Sequence, residues 1–190
     1  MSGFEEDVKK ATECLKTGGI VLYPTDTIWG LGCNPFDEKA VERLFAVKNR
    51  PKEKSLVILL AEARDIIQYV AAPHPDIIDI VSSFTTPTTV IYDGALGFPD
   101  NVAHADGSIA IRVTTDPFCK ALIKRWGKPL VSTSANLSGE PSPANFSMVS
   151  HAIRNNVDYI VEHRQDDTEP AQPSRIVKIN DDGTLDIIRG

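Results

Sequence analysis

An α/β fold, a sandwich of helices around a mixed and twisted open sheet, is what this sequence predicts, and three observations carry the prediction. Segments with helical spacing alternate with short apolar, β-branched runs through most of the chain. The last segments read instead as antiparallel hairpins, which a purely parallel, doubly wound sheet does not accommodate. With 190 residues and 42% hydrophobic content, the chain suffices for one sizeable core and is short for two domains of ordinary size, so a single domain over residues 1–190 is expected.

Phe4, Val8, Ala11 and Leu15 recur at helical spacing and Gly18-Gly19 supplies a stop, predicting a helix over 4–17. The run Ile20-Val21-Leu22-Tyr23 reads as a buried strand that Pro24 ends. Asp37 caps a second helix carrying Val41, Leu44, Phe45 and Lys48, and Pro51 forces its predecessor out of helical geometry. Strands follow at 55–60, 88–92, 108–113 and 129–133, with short helices near 63–70 and 75–84. The long loop 95–107 has a length that goes with function, and both it and the loop 136–145 are expected as lids over a site. Asp116-Pro117 starts a helix, cap then proline, that runs to Gly127. A helix near 146–154, strands at 158–162 and 175–179, the turn Asn180-Asp181-Asp182-Gly183 and a last strand at 185–189 complete the chain.

No run approaches the roughly 18 apolar residues of a membrane span. The start Phe4-Glu5-Glu6-Asp7 is acidic where a signal segment is basic and then apolar, so the expected location is cytoplasmic. Cys14, Cys33 and Cys119 lack metal-like or Cys-x-x-Cys spacing and suit reduced thiols packed as small apolar residues. His74, His104, His151 and His163 are equally scattered, and no protein-built metal site is expected. A net charge of −6 is unlike that of basic nucleic-acid binders, yet Arg43, Lys48, Arg50, Lys52 and Lys54 gather against only Glu42 and Glu53. A local anion site and a solvated helix face are the two readings of that cluster.

Three polar motifs stand where apolar elements end, delivering hydroxyls, an amide and cations to loop positions, as a site for an oxygen-rich anion requires. Neither a Walker-type nor a Rossmann-type glycine loop is present. In Pro24-Thr25-Asp26-Thr27-Ile28-Trp29-Gly30-Leu31-Gly32, strand alternation places Thr25 and Thr27 on one side and Asp26 on the other. The paired hydroxyls suit an ammonium or hydroxyl group, and the glycines suit either close approach of a ligand or a plain turn. Lys48 and Arg50 diverge on a continuous helix and converge only if it has ended, which Pro51 arranges; cations at a helix C-terminus also suit the macrodipole. Ser132-Thr133-Ser134-Ala135-Asn136-Leu137-Ser138-Gly139 turns Ser132 and Ser134 the same way, beside an amide that both donates and accepts.

With Ser108-Ile109-Ala110-Ile111-Arg112 and Pro173-Ser174-Arg175-Ile176-Val177, these segments resemble, in order and spacing, the YrdC-like domain family, which comprises the threonylcarbamoyl-AMP synthases. The resemblance spans nearly the whole chain. It implies a twisted open sheet with a large concave, positively charged surface. It also implies a nucleotidyltransferase that joins L-threonine, bicarbonate and ATP into L-threonylcarbamoyladenylate, releasing pyrophosphate, with Mg²⁺ arriving on ATP. Downstream threonylcarbamoyl-transferase proteins then modify adenosine 37 of tRNA. Carried over by position, Lys48, Arg50, Ser134 and Asn136 form the catalytic tetrad, and Thr27, Arg112 and Ser174 contact L-threonine. Lys48, Arg50, Lys54, Ser108, Ser134, Asn136 and Arg189 lie on the nucleotide side.

The chain departs from the family pattern at Leu59, where many members carry a histidine, and at Thr86, where a glycine is usual. Arg175 replaces a threonine, adding a cation expected close to the site, and Trp29 replaces a tyrosine as an expected aromatic wall. The intact tetrad speaks against a YciO-type paralogue. The competing reading is a noncatalytic module that binds double-stranded RNA or tRNA through the 43–54 cluster and Arg175; few aromatics and an acidic net charge weigh against it.

Overall fold

The computed structural model describes residues 3–49, 51 and 56–190. Helix α1 (Glu5–Lys16) places Glu5, Glu6 and Asp7 in its first turn, where the helix dipole favours them, and buries Val8, Ala11 and Leu15. Strand β1 (Val21–Tyr23) pairs antiparallel with β2 (Gly30–Gly32). Residues 30–32, which the sequence offers as a glycine-shaped turn, are thus a strand. Glycine is a poor strand former, but a Cβ on Gly32 would lie 2.7 Å from the Val131 carbonyl oxygen, so close packing and not a bend demands glycine there.

Helix α2 (Glu38–Val47) begins on Asp37, whose carboxylate accepts from the amides of Lys39 and Ala40 at 3.1 Å. It ends at Lys48, and Asn49 follows in the left-handed region at φ 49°, so the helix has stopped before Arg50-Pro51. Then come β3 (Val57–Leu60), a 3₁₀ turn (Ala63–Gln68), α3 (Ile77–Ser82), β4 (Thr88–Tyr92) and β5 (Ile109–Val113). Helix α4 (Pro117–Trp126) starts on its Asp116 cap and stops at Gly127, where φ is 78°. After β6 (Leu130–Ser134), the helix expected over 146–154 divides into a 3₁₀ turn (Phe146–Met148) and α5 (His151–Arg154), because Val149 and Ser150 are extended and Ser150 caps the second piece. Strands β7 (Tyr159–Ile160), β8 (Arg175–Ile179) and β9 (Leu185–Arg189) finish the chain.

All nine strands described join one open sheet in the order β7-β1-β2-β6-β3-β5-β4-β8-β9. Pairs β1–β7, β3–β5 and β4–β8 are parallel and the rest antiparallel, the mixed arrangement expected. Helices α1 and α4 pack on one another and against β1 and β3.

Register decides which residues share a face, since ladder partners point the same way. Following partners across the sheet links Gly30 to Ser134, Ser132 to Val57, Leu59 to Arg112, Arg112 to Thr89, Thr89 to Ile176 and Ile176 to Arg189. The alternate residues Leu31, Val131, Ile58, Ile111, Val90 and Val177 are buried on the opposite face. Arg189 reaches the first face through a β-bulge: Val177 pairs with Ile187 and Ile176 with Arg189, so Ile188 is skipped. In a regular ladder without the bulge, Ile188 would stand beside Ile176 in its place.

The loop 95–107 is not a lid. Ala95 N donates to Gly107 O at 2.8 Å and Leu96 N to Tyr69 O at 2.9 Å, and Phe98 stacks on Phe36 with ring centroids 5.4 Å apart. Asn101 Nδ2 also donates to Glu38 O. These contacts fasten the loop beside the start of α2, and none of its residues lines the cleft described next.

Candidate active site

A cleft of about 220 Å³ opens on the first sheet face. Thr27, Arg112, Ser132, Thr133, Ser134, Ser142, Ser174 and Arg189 supply its polar lining, and Ile28, Val57, Pro173 and Ile176 its apolar part. Six strands and the β1–β2 loop therefore contribute to one cavity.

The β1–β2 loop is held by its own hydroxyls. Thr25 Oγ1 donates to Ile28 O at 2.8 Å, accepts from Thr27 N at 2.9 Å, and lies 3.0 Å from Thr27 Oγ1. The two hydroxyls share a side, as the sequence suggests, but through this local turn and not through strand alternation. Asp26 turns instead to Arg112, with 3.4 Å between Oδ1 and Nη2, and both side chains are buried. Neither Asp26 Oδ1 nor Arg112 Nε has an aligned hydrogen-bond partner. The guanidinium is thus charge-compensated but retains donor capacity beside the cavity.

On the far wall, Thr89 Oγ1 and Ser174 Oγ lie 2.7 Å apart, and Arg189 donates to Ser174 O from Nε and Nη2 at 3.3 and 2.7 Å. Lys48, fully buried at the end of α2, donates to Ser134 O, and to Asn136 O at 2.9 Å, with Ser134 Oγ at 3.4 Å. Ser138 N donates back to Lys48 O at 2.7 Å, so helix end and loop clasp each other. Asn136 Nδ2 donates to Leu137 O and Glu140 O, while its Oδ1 is buried without a partner. Behind the β1–β2 loop, Cys119 donates to Pro24 O, and burial followed by the nearby Asp116 carboxylate pushes its thiol far up. It packs there as a neutral group and is not an activated nucleophile.

The structure therefore gathers Thr27, Arg112, Ser134, Ser174 and Arg189 at one cleft, with Lys48 and Asn136 joined to the Ser134 rim. Ser108 is not among them: it lies four residues before Arg112, about 13 Å along the strand, and its hydroxyl donates to Asp106 Oδ1 at 2.6 Å. Arg50 and Lys54 lie outside the described residues. Arg175 is not beside the cleft, because strand alternation turns it to the opposite face, where Nε donates to Thr88 Oγ1 and the guanidinium covers the Phe84 ring. Trp29 forms no wall of the cavity; it packs on Phe146 with ring centroids 4.8 Å apart. Leu59 is fully buried beside Arg112 in the ladder. Arg43, the first cation of the 43–54 cluster, makes a two-pronged pair with Asp158.

Sequence reasoning missed Thr89 and Ser142. Thr89 was legible as the hydroxyl sharing a face with Arg112 once register is known. Ser142 sits between prolines in an irregular loop; Ala171 N donates to Ala144 O beside it, and no periodic signal marks it.

A twisted mixed sheet bearing a cleft of hydroxyls and cations, with an amide beside its Ser134 rim, defines an α/β protein whose cleft offers donors to an oxygen-rich anion. The Sua5/YciO/YrdC family model, described as telomere recombination, matches residues 13–190. A threonylcarbamoyl-AMP synthase of Pseudoalteromonas translucida is 36% identical over 161 residues, covering 83% of this chain and 86% of that one. One from Xanthomonas euvesicatoria pv. vesicatoria is 35% identical over 159 residues, covering 82% and 85%. P. abyssi Sua5 complexed with L-threonine shares the fold with a TM-score of 0.81 at 24% identity, over 92% of this chain and 51% of that one, so this chain spans about half its length. E. coli YciO shares it with a TM-score of 0.82 at 23% identity, over 97% and 88%. The chain belongs to the Sua5/YciO/YrdC family.

Proposed function

We propose that this protein is a threonylcarbamoyl-AMP synthase, a nucleotidyltransferase that forms L-threonylcarbamoyladenylate and pyrophosphate from L-threonine, bicarbonate and ATP. The observation that carries the reading is the convergence of Thr27, Arg112 and Ser174 with Ser134 and Arg189 on one cleft, in a chain 36% identical to an enzyme of that name.

The planar guanidinium of Arg112 suits a bidentate grip on the amino-acid carboxylate, with the Thr27 hydroxyl beside it for the polar groups of L-threonine. The amino group condenses with bicarbonate, losing water, to give a carbamate. A carbamate oxygen then attacks the α-phosphorus of ATP, and the bond to the departing pyrophosphate breaks. Such chemistry needs positioning and charge neutralisation more than a covalent nucleophile. Lys48, with Arg50 and Lys54, supplies positive charge on the phosphate side, and Ser134, Asn136 and Arg189 supply donors.

The cleft fits magnesium poorly. Its lining is made of hydroxyls and cations, and the nearby Asp26 carboxylate already faces Arg112. Magnesium therefore enters as part of the ATP substrate, and no step is assigned to it. The product passes in the cytoplasm to threonylcarbamoyl-transferase proteins that modify tRNA. The RNA-binding alternative is weakened by Arg43, paired to Asp158, and by Arg175, turned to the other face.

The test is pyrophosphate release from the purified protein with ATP, Mg²⁺ and bicarbonate, with L-threonine, with L-serine, and with neither. Threonine-dependent release, the adenylate in the mass spectrum, and a loss of roughly a hundredfold or more in Lys48→Ala are the expected results. Release that ignores threonine, or none at all, overturns the proposal.

A further inference from the structure

From the connection between β7 and β8, the side chain of Arg164 reaches the β1–β2 loop without lining the cleft. Arg164 donates from Nη1 to Asp116 Oδ1 and from Nη2 to Thr25 O, both at 2.6 Å. Asp116 Oδ2 also accepts from Cys119 N at 2.8 Å, so one carboxylate both caps α4 and anchors the guanidinium. Thr25 in turn is the residue whose hydroxyl orients the amide and hydroxyl of Thr27. Arg164 thus holds the carbonyl of the residue that aims Thr27.

The backbone gives a second, independent sign. Arg164 sits in the left-handed region at φ 64°, which a residue bearing a Cβ adopts unwillingly. Such a conformation persists only where the surroundings over-determine it. A planar fork bridging a buried carboxylate and a carbonyl is such a determinant, and lysine, a point charge with one nitrogen, does not reproduce it. The loop is also tied by Cys119 to Pro24 O, by Asp26 to the Arg112–Thr115 segment and by Ala135 N to Trp29 O, and none of these holds the Thr25 carbonyl.

We infer that Arg164 is a positioning residue for the amino-acid substrate: it sets the Thr25–Thr27 loop, and with it the affinity for L-threonine, through contacts that never reach the ligand. The inference rests on the synthase reading of the cleft.

The test compares wild type with Arg164→Ala, Arg164→Gly and Arg164→Lys. Glycine adopts the left-handed backbone freely, so Arg164→Gly should melt no lower than Arg164→Ala and keeps the fold available for assay. All three should raise KM for L-threonine by about tenfold or more while leaving KM for ATP and kcat within about twofold, a split that general destabilisation does not give. Amide hydrogen exchange at Thr27 and Ile28 should rise in parallel, a readout that needs no turnover. An unchanged KM for L-threonine, or equal rises in both KM values, overturns the inference, as does unchanged exchange at these amides. A wild-type protein without threonine-dependent turnover sinks the synthase reading instead, while the exchange measurement still decides whether Arg164 tethers the loop.

Discussion

Replacing Asp26 by asparagine removes the charge from the ion pair beneath the cleft while keeping its shape. Asp26 and Arg112 are 8% and 6% exposed at the side chain, with 3.4 Å between Oδ1 and Nη2. Unit charges at that distance attract by about 5 kcal/mol at an effective dielectric constant near 20. Against this, Asp26 Oδ1 lacks an aligned donor, and an orphaned buried group costs about 1–3 kcal/mol, part of which the neutral amide relieves. The net loss is about 2–4 kcal/mol, because the guanidinium is left buried without its counter-charge. At about 2–4 °C per kcal/mol for a chain of this length, Tm should fall by about 4–16 °C. The assay is thermal unfolding followed by circular dichroism at neutral pH and low salt, with and without L-threonine. The amino-acid carboxylate returns a negative charge to Arg112, so L-threonine should raise Tm more in Asp26→Asn than in wild type. A Tm within about 2 °C of wild type would refute the argument that these two groups compensate each other.

Gly30→Ala should fold with a loss under about 1 kcal/mol, since the new Cβ meets Ser132 Oγ and Thr133 O at 3.4 Å, but its methyl group stands on the cleft floor and should raise KM; unaltered kinetics would place the ligands elsewhere. Cys14, pushed up to about 11 by burial and by Asp158, and the more deeply buried Cys33 and Cys119, pushed further up by burial, should resist a thiol reagent at pH 8 until the protein unfolds; rapid labelling of the native protein would contradict that burial. The Arg43 guanidinium holds the Asp158 carboxyl below its usual range, so this pair stabilises the fold above the unfolded-state carboxylate range and that contribution is lost as pH falls through the lowered folded value. Both groups are more than a third exposed, so Arg43→Ala should cost only roughly 0.5 kcal/mol at pH 7, shrinking towards zero near pH 3 in urea titrations; a constant difference at both pH values would show that the charge pair is not its source.

The parts of this protein that obey local rules were legible from its residues. Asp116-Pro117 and Gly127 bracket α4 because cap, first-turn proline and left-handed stop act within a few residues. The Thr25 and Thr27 hydroxyls do share a side, though the cause is a local turn in which the Thr25 hydroxyl accepts from the Thr27 amide and not the strand alternation that the sequence suggests. What the sequence hid depends on distant partners. Gly30–Gly32 looks like a turn until Val131 is known to lie against Gly32. Arg175 counts as a cation of the site only until the β4–β8 register assigns its face. Ser108 directly precedes the strand that carries Arg112, yet of the two only Arg112 lines the cavity. Arg164 belongs to no motif, and its role comes from two acceptors supplied by remote parts of the chain.

The ladder that sorts residues between faces also governs how such a chain is free to diverge. Substitutions change side chains one at a time, and the fold survives them down to 23% identity with E. coli YciO at a TM-score of 0.82. A change of length inside a strand acts differently. Deleting one residue of β5 ahead of Arg112 would rotate the guanidinium to the far side and bring Ile111 or Val113 round to meet the ligand. At β9 the inserted Ile188 is the exception, since deleting it would make Arg189 follow Ile187 directly and leave it opposite Ile176 in a regular ladder. Evolutionary drift in this protein is therefore free in composition but nearly frozen in strand length, and insertions or deletions among its relatives belong in the connections.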